Sequence, residues 1–155
     1  MTEHGTTQDM FFMNHALYQA RLAKEQGEVP VGAVLVRDNT IITQGYNQPI
    51  AFHDPSAHAE IQVLRQGGAL LKNYRLIDCT LYVTLEPCSM CAGAILQARL
   101  PRVVFAATDP KTGACGGVVN LFAQPKLNHH TLCQGGVMAA EASQLLKSFF
   151  HDKRG

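Results

Sequence analysis

Leu81-Tyr82-Val83-Thr84-Leu85-Glu86-Pro87-Cys88-Ser89-Met90-Cys91 is an apolar run that meets a proline and passes into two cysteines. The unbroken run reads as a buried strand. A helix follows to about Gln97. If it starts at Pro87, Cys88 and Cys91, three positions apart, share one face near its end. That end carries free N–H groups and partial positive charge, both of which favour thiolates. Strand, tight turn and thiol-bearing helix is the layout that open α/β sheets use for chemistry at the carboxyl ends of their strands.

Upstream lies His58-Ala59-Glu60. One imidazole and two thiols make three ligands, the number that a catalytic zinc takes when its fourth position is left for water. Glu60 is then the base for that water. A C-x-x-C pair alone also marks redox and structural zinc sites. A structural site needs a fourth ligand, which Cys79, Cys115, Cys133 or His53 could supply. A redox pair leaves His-Ala-Glu unexplained. Ser56 reads as the N-cap of a helix from Ala57 to about Gln66, ended by Gly67-Gly68, with His58 and Glu60 in its first turn. Residues two apart on a helix point roughly 200° away from each other. Both can therefore serve one water only at the helix's open end.

The 155 residues suit one domain, and 46% hydrophobic content suits a folded one. The apolar runs are too short to cross a bilayer, and Met1–Gln8 is polar, unlike a signal peptide. A cytoplasmic chain is expected. Five cysteines, two of them assigned to metal, argue against a disulfide framework. A net charge of +1 is no footprint of a strong nucleic-acid binder.

A first helix is expected from a cap at Asp9 to about Gln26, with Gly27 as its stop. Val29–Val36 and Ile41–Tyr46 read as strands joined by a turn over 37–40. Asn47 then either holds a base edge or ribose, or caps the turn. Glu86 reads as an orienter of neighbouring groups or a loop anchor. After a strand at Val103–Ala107 comes a Gly-rich loop, in which Asp109, Lys111 and Thr112 either meet a phosphate or ribose or form a plain surface turn. A short strand at His130–Cys133 and a helix from Val137 to about His151 complete the chain.

Taken together, Glu28-Val-Pro-Val-Gly-Ala-Val34, Gly45-Tyr-Asn47, His53-Asp-Pro-Ser-Ala-His-Ala-Glu60, Thr84-Leu-Glu-Pro-Cys-Ser-Met-Cys91 and Asp109-Pro-Lys-Thr-Gly113 resemble the bacterial tRNA-specific adenosine deaminase family. The H-x-E…P-C-x-x-C core is the zinc nucleobase deaminase signature. The resemblance implies a cytidine deaminase-like α/β fold: three α/β/α layers around a five-stranded mixed sheet. It implies one zinc per subunit on His58, Cys88 and Cys91, Glu60 as proton shuttle, and Asn47 at the base. It also implies a homodimer acting on the anticodon stem-loop of an arginine tRNA, where the wobble adenosine becomes inosine. Cytosine, guanine or deoxycytidylate deaminases would carry the same two metal segments. A zinc-stabilised RNA-binding protein without turnover is the reading from outside enzymology.

Overall fold

The computed structural model describes residues 5–127 and 129–154; the polar stretch 1–4 lies outside them. Helix α1 (Thr7–Glu25) leads into β1 (Gly32–Arg37) and β2 (Thr40–Tyr46). Next come a short helix α2 (Pro49–Phe52), α3 (Ala59–Leu71), β3 (Cys79–Leu85) and α4 (Ser89–Gln97). Strands β4 (Arg102–Ala107) and β5 (Leu132–Gln134) and helix α5 (Ala139–Arg154) follow. The strands lie in the order β2-β1-β3-β4-β5. β1 runs antiparallel to both β2 and β3, whereas β3, β4 and β5 are parallel. The sheet is therefore mixed and five-stranded, with helices on both faces.

Period-two alternation divides the core. Ala33, Leu35, Leu81, Val83, Val103 and Phe105 join Val63, Ala92 and Ile95 of α3 and α4 on one face. Val34, Val36, Tyr82, Val104 and Ala106 join Met13, Leu17 and Ala142 of α1 and α5 on the other. Burial on both faces explains why β3 and β4 read as continuous apolar runs.

Several boundaries differ from the sequence expectation, each for a local reason. Thr6, not Asp9, is the N-cap of α1: its hydroxyl takes the Asp9 N–H at 3.0 Å, and the Asp9 carboxylate takes the Thr6 N–H at 3.2 Å. Strand β1 starts at Gly32, where a Cβ would run into the Ala16 carbonyl of α1. The turn holds Asp38 and Asn39 both left-handed, at φ 52° and 59°, as a two-residue hairpin requires. Helix α3 starts at Ala59, because Asp54 captures the Ser56 N–H and hydroxyl at 2.8 and 2.7 Å. Gly67 and Gly68 lie inside that helix; a Cβ on Gly67 would press on Leu35. Met138 is left-handed, at φ 59°, so α5 begins after it.

An ion pair between a buried carboxylate and a half-buried guanidinium ties the layers together. The Asp9 side chain is 3% exposed. It accepts bonds from Arg102 at 2.9 and 3.0 Å and from the Tyr82 hydroxyl at 2.6 Å, joining α1 to β3 and β4. Burial alone would raise the Asp9 pKa, but the bonds from Arg102, Tyr82 and the Thr6 N–H hold it at about 2, down from 3.8. A depressed carboxylate stabilises the fold fully above its unfolded pKa and loses that contribution as pH falls through the folded one. Urea midpoints should therefore hold level above about pH 5 and decline toward pH 2, with about 2 kcal/mol lost through this group. In Asp9→Asn this share of the acid decline should vanish. Stability at pH 7 should drop by about 2 kcal/mol, since the half-buried Arg102 guanidinium loses its charged partner.

Candidate metal centre

The two quoted segments meet at the open ends of two helices. Cys88 is the N-cap of α4, in extended conformation at φ −76° and ψ 175°, and Cys91 lies in that helix's first turn. His58 is the N-cap of α3, also extended, at φ −71° and ψ 156°. Because His58 stands outside the helix, the opposed directions of residues two apart do not apply, and Glu60 can share its side of the helix end. His58 Nδ1 lies 3.6 Å from Cys88 Sγ and 3.4 Å from Cys91 Sγ. Tetrahedral zinc with ordinary bond lengths would separate such nitrogen and sulfur atoms by about 3.5 Å, so the donor set fits that ion in both type and spacing. Among the described residues, these three side chains form the one close group of metal-ligating atoms, with no fourth ligand joining it. Cys79, Cys115 and Cys133 are free and pack in or against the core.

The electrostatics of this corner are lopsided. The Cys91 thiol, then the His58 imidazole, pull the Cys88 pKa down to about 4. Cys91 is pushed up by its bond to Cys88, by burial and by the nearby Glu60 charge. The bond to Cys88 raises the His58 pKa against its burial. Glu60 is 4% exposed, and burial lifts its pKa to about 7, with a bond from Cys91 and the charge of His58 opposing. Two thiols and a carboxylate crowded around one imidazole make a site for a cation.

The loops beside the centre are tied down by buried oxygens. Asn47 accepts the Ala59 N–H at 2.9 Å and so caps α3, its amide nitrogen left for other work. Glu86, 3% exposed, is a loop anchor: it accepts the N–H groups of Asp109, Cys115 and Gly117 at 2.9, 2.8 and 2.8 Å. Gly113 and Gly117 leave no room for a Cβ beside that carboxylate. The anchored loop reaches the centre through a bridge between Gly113 and Cys88 and through the Ala114 N–H on the Pro87 carbonyl at 2.8 Å. Within it, Asp109 binds the N–H groups of Lys111 and Thr112 and the Thr112 hydroxyl, which is turn chemistry. Glu28 went unread in the sequence: it is 2% exposed and binds the N–H groups of Ile50 and Ala51. A lone glutamate ahead of Val-Pro-Val gives no sequence signal for such a long-range bond.

Three comparisons place this geometry among known proteins. The profile of the cytidine and deoxycytidylate deaminase zinc-binding region matches residues 6–107. A tRNA-specific adenosine deaminase of Haemophilus influenzae is 52% identical over 147 residues, 94% of this chain and 85% of that protein. A solved chain from work on A-to-I editing by tRNA:A34 deaminases at the wobble position of transfer RNA superposes with a TM-score of 0.85. It is 44% identical and covers 88% of this chain and 99% of its own. A guanine deaminase from Bacillus subtilis is more distant in shape: TM-score 0.61 and 41% identity, over 63% of each chain. With matches this close over nearly its whole length, the chain belongs to the tRNA-specific adenosine deaminases, within the zinc-binding cytidine and deoxycytidylate deaminase family.

Proposed function

We propose that the chain is a single-domain hydrolase that converts the wobble adenosine of a tRNA anticodon to inosine, with zinc held by His58, Cys88 and Cys91 and Glu60 as proton shuttle. The observation that carries this reading is the three-donor group, with no fourth protein ligand among the described residues, beside the buried Glu60 carboxylate. Zinc, when bound, would supply the Lewis acidity that makes a water nucleophilic near pH 7. Glu60 takes the water's proton and delivers it to adenine N1, which leaves C6 electrophilic. The water oxygen bonds to C6; Glu60 then takes the second proton from the new C6 hydroxyl and passes it to the exocyclic nitrogen, so that the C6 carbonyl forms as the C6–N bond breaks and ammonia leaves. Burial, which raises the Glu60 pKa above that of an ordinary carboxyl, suits a group that must both take and return a proton.

The remaining contacts follow from what each side chain has free. The Asn47 carbonyl is occupied by the Ala59 N–H, so its NH2 group is the part that meets the base. Lys111 and Thr112 are exposed on the anchored loop, whose Asp109 turn presents them to ribose or phosphate. An anticodon loop is unpaired, which lowers the cost of turning a base out of its stack. On the same reading the tRNA is an arginine tRNA and the enzyme is cytoplasmic; no described helix is long and apolar enough to cross a membrane. It is a homodimer with one zinc per subunit. An apolar groove between α3 and α4, lined by Ile61, Leu64, Leu76 and Ala94 with the exposed Tyr74 at its edge, suits the subunit contact.

The deciding assay is inosine and ammonia release from an anticodon stem-loop with adenosine at the wobble position, run beside adenosine, cytidine and guanine. Turnover of guanine alone would make the chain a free-base deaminase. RNA binding without turnover would leave it a zinc-stabilised RNA-binding protein. Glu60→Gln should keep its zinc by elemental analysis while kcat falls by roughly a thousandfold. Sedimentation should show wild type as a dimer and Leu64→Asp shifted to monomer, because a charge in the groove would be stranded on pairing.

A further inference from the structure

Glu28 opens the Glu28-Val-Pro-Val segment, and no part of the chemistry above uses its carboxylate. It is 2% exposed, and no ion pair to it is found among the described residues. Its two oxygens are divided between two N–H groups of α2: Oε1 takes Ile50 at 3.1 Å and Oε2 takes Ala51 at 2.8 Å. Burying a carboxylate is costly unless such bonds offset it. What it holds gives the core almost nothing: α2 has four residues and no buried side chain, and Ile50 and Phe52 are 65% and 55% exposed. A helix this short does not stand on its own.

The segment that Glu28 holds is attached to the metal centre. The Gln48 N–H meets the Ala57 carbonyl at 2.9 Å, and Asn47 caps α3 one residue past His58, so 48–57 is a closed loop rooted at the centre. Its outer surface is an apolar turn facing solvent. Unpaired bases stack on surfaces of this kind, with an aromatic ring as the platform.

We infer that Glu28 is a positioning residue: it fixes α2 as a rigid rim on which an unpaired nucleotide flanking the target base rests against Phe52 and Ile50. This rests on the proposed activity toward tRNA. Glu28 touches neither the base nor the metal centre; it sets how firmly the strand is held, while Glu60 governs the proton transfers.

The test is steady-state kinetics on the anticodon stem-loop with wild type, Glu28→Gln, Phe52→Ala and the double variant, with zinc content and melting temperature measured in parallel. Each single variant should raise KM by roughly tenfold, the scale of one lost stacking contact. In each, kcat should stay within about twofold and zinc at one per chain. The double variant should be scarcely worse than Phe52→Ala alone, since a loosened rim and a missing ring remove the same contact. Phe52 is exposed, so its variant should melt with wild type and decides the matter even where Glu28→Gln folds poorly. An unchanged KM in Phe52→Ala, or a fall in kcat and zinc content in step with KM in Glu28→Gln, overturns the rim. Absence of inosine with wild type overturns the tRNA reading and the rim with it. Wild-type turnover with unaltered KM in the variants removes only the rim.

Discussion

Two helices of this chain begin on residues that bring a candidate metal ligand where a cap would ordinarily stand. His58 and Cys88 both hold extended backbone at an N-cap, and neither makes a side-chain capping bond of the usual kind. Giving up a Ser, Thr, Asp or Asn cap costs a helix about 1 kcal/mol. The chain recovers that for α3 by bringing in a cap from elsewhere: the Asn47 amide oxygen reaches the Ala59 N–H. The extended cap also releases His58 from helical geometry, so that imidazole, two thiols and the Glu60 carboxylate converge on one corner. Most of what surrounds that corner keeps the two helix ends facing each other. The parallel β3–β4 pair delivers Cys88, and the antiparallel β1–β2 hairpin leads into Asn47 and the loop that ends at His58.

Four buried acids show how one functional group is assigned different work by its surroundings. Asp9 faces a guanidinium and stays charged as a structural clasp. Glu86 and Glu28 face backbone N–H groups and fasten loops. Glu60 has no guanidinium beside it, and burial raises its pKa well above the usual carboxylate range. The acid proposed to move protons is the one whose pKa burial leaves near neutrality.

The sequence made the chemistry more legible than the boundaries. His-x-Glu and Pro-Cys-x-x-Cys could be read because ligand types and short spacings survive any local change of conformation. The hairpin at 37–40 and the apolar strands could be read because their patterns are local too. Ser56 misled because a nearer partner, Asp54, took its hydroxyl, and propensity cannot see that competition. Gly67-Gly68 looked like a stop because close packing on Leu35, the reason for Gly67, is a tertiary fact. Asn47 was readable as a cap or a base contact, and the fold gives its oxygen to the cap. Glu28 was invisible for the same reason in a stronger form: its partners lie more than twenty residues away and are backbone groups, which no residue code announces.

A net charge of +1 looks ill suited to an RNA-acting enzyme, yet the architecture explains how it could suffice. Phosphate neutralisation supplies strength to a protein that grips long stretches of backbone. A deaminase of this design needs to hold one flipped base in a pocket and a few unpaired neighbours around its mouth. Stacking and shape can do that with little net charge, provided that the rims of the pocket are rigid before the RNA arrives. Glu28 under one loop and Glu86 under the other bond backbone N–H groups from within the protein. On the proposed reading, fixed polar anchors inside add to exposed groups such as Lys111 in letting a nearly neutral chain recognise a charged polymer.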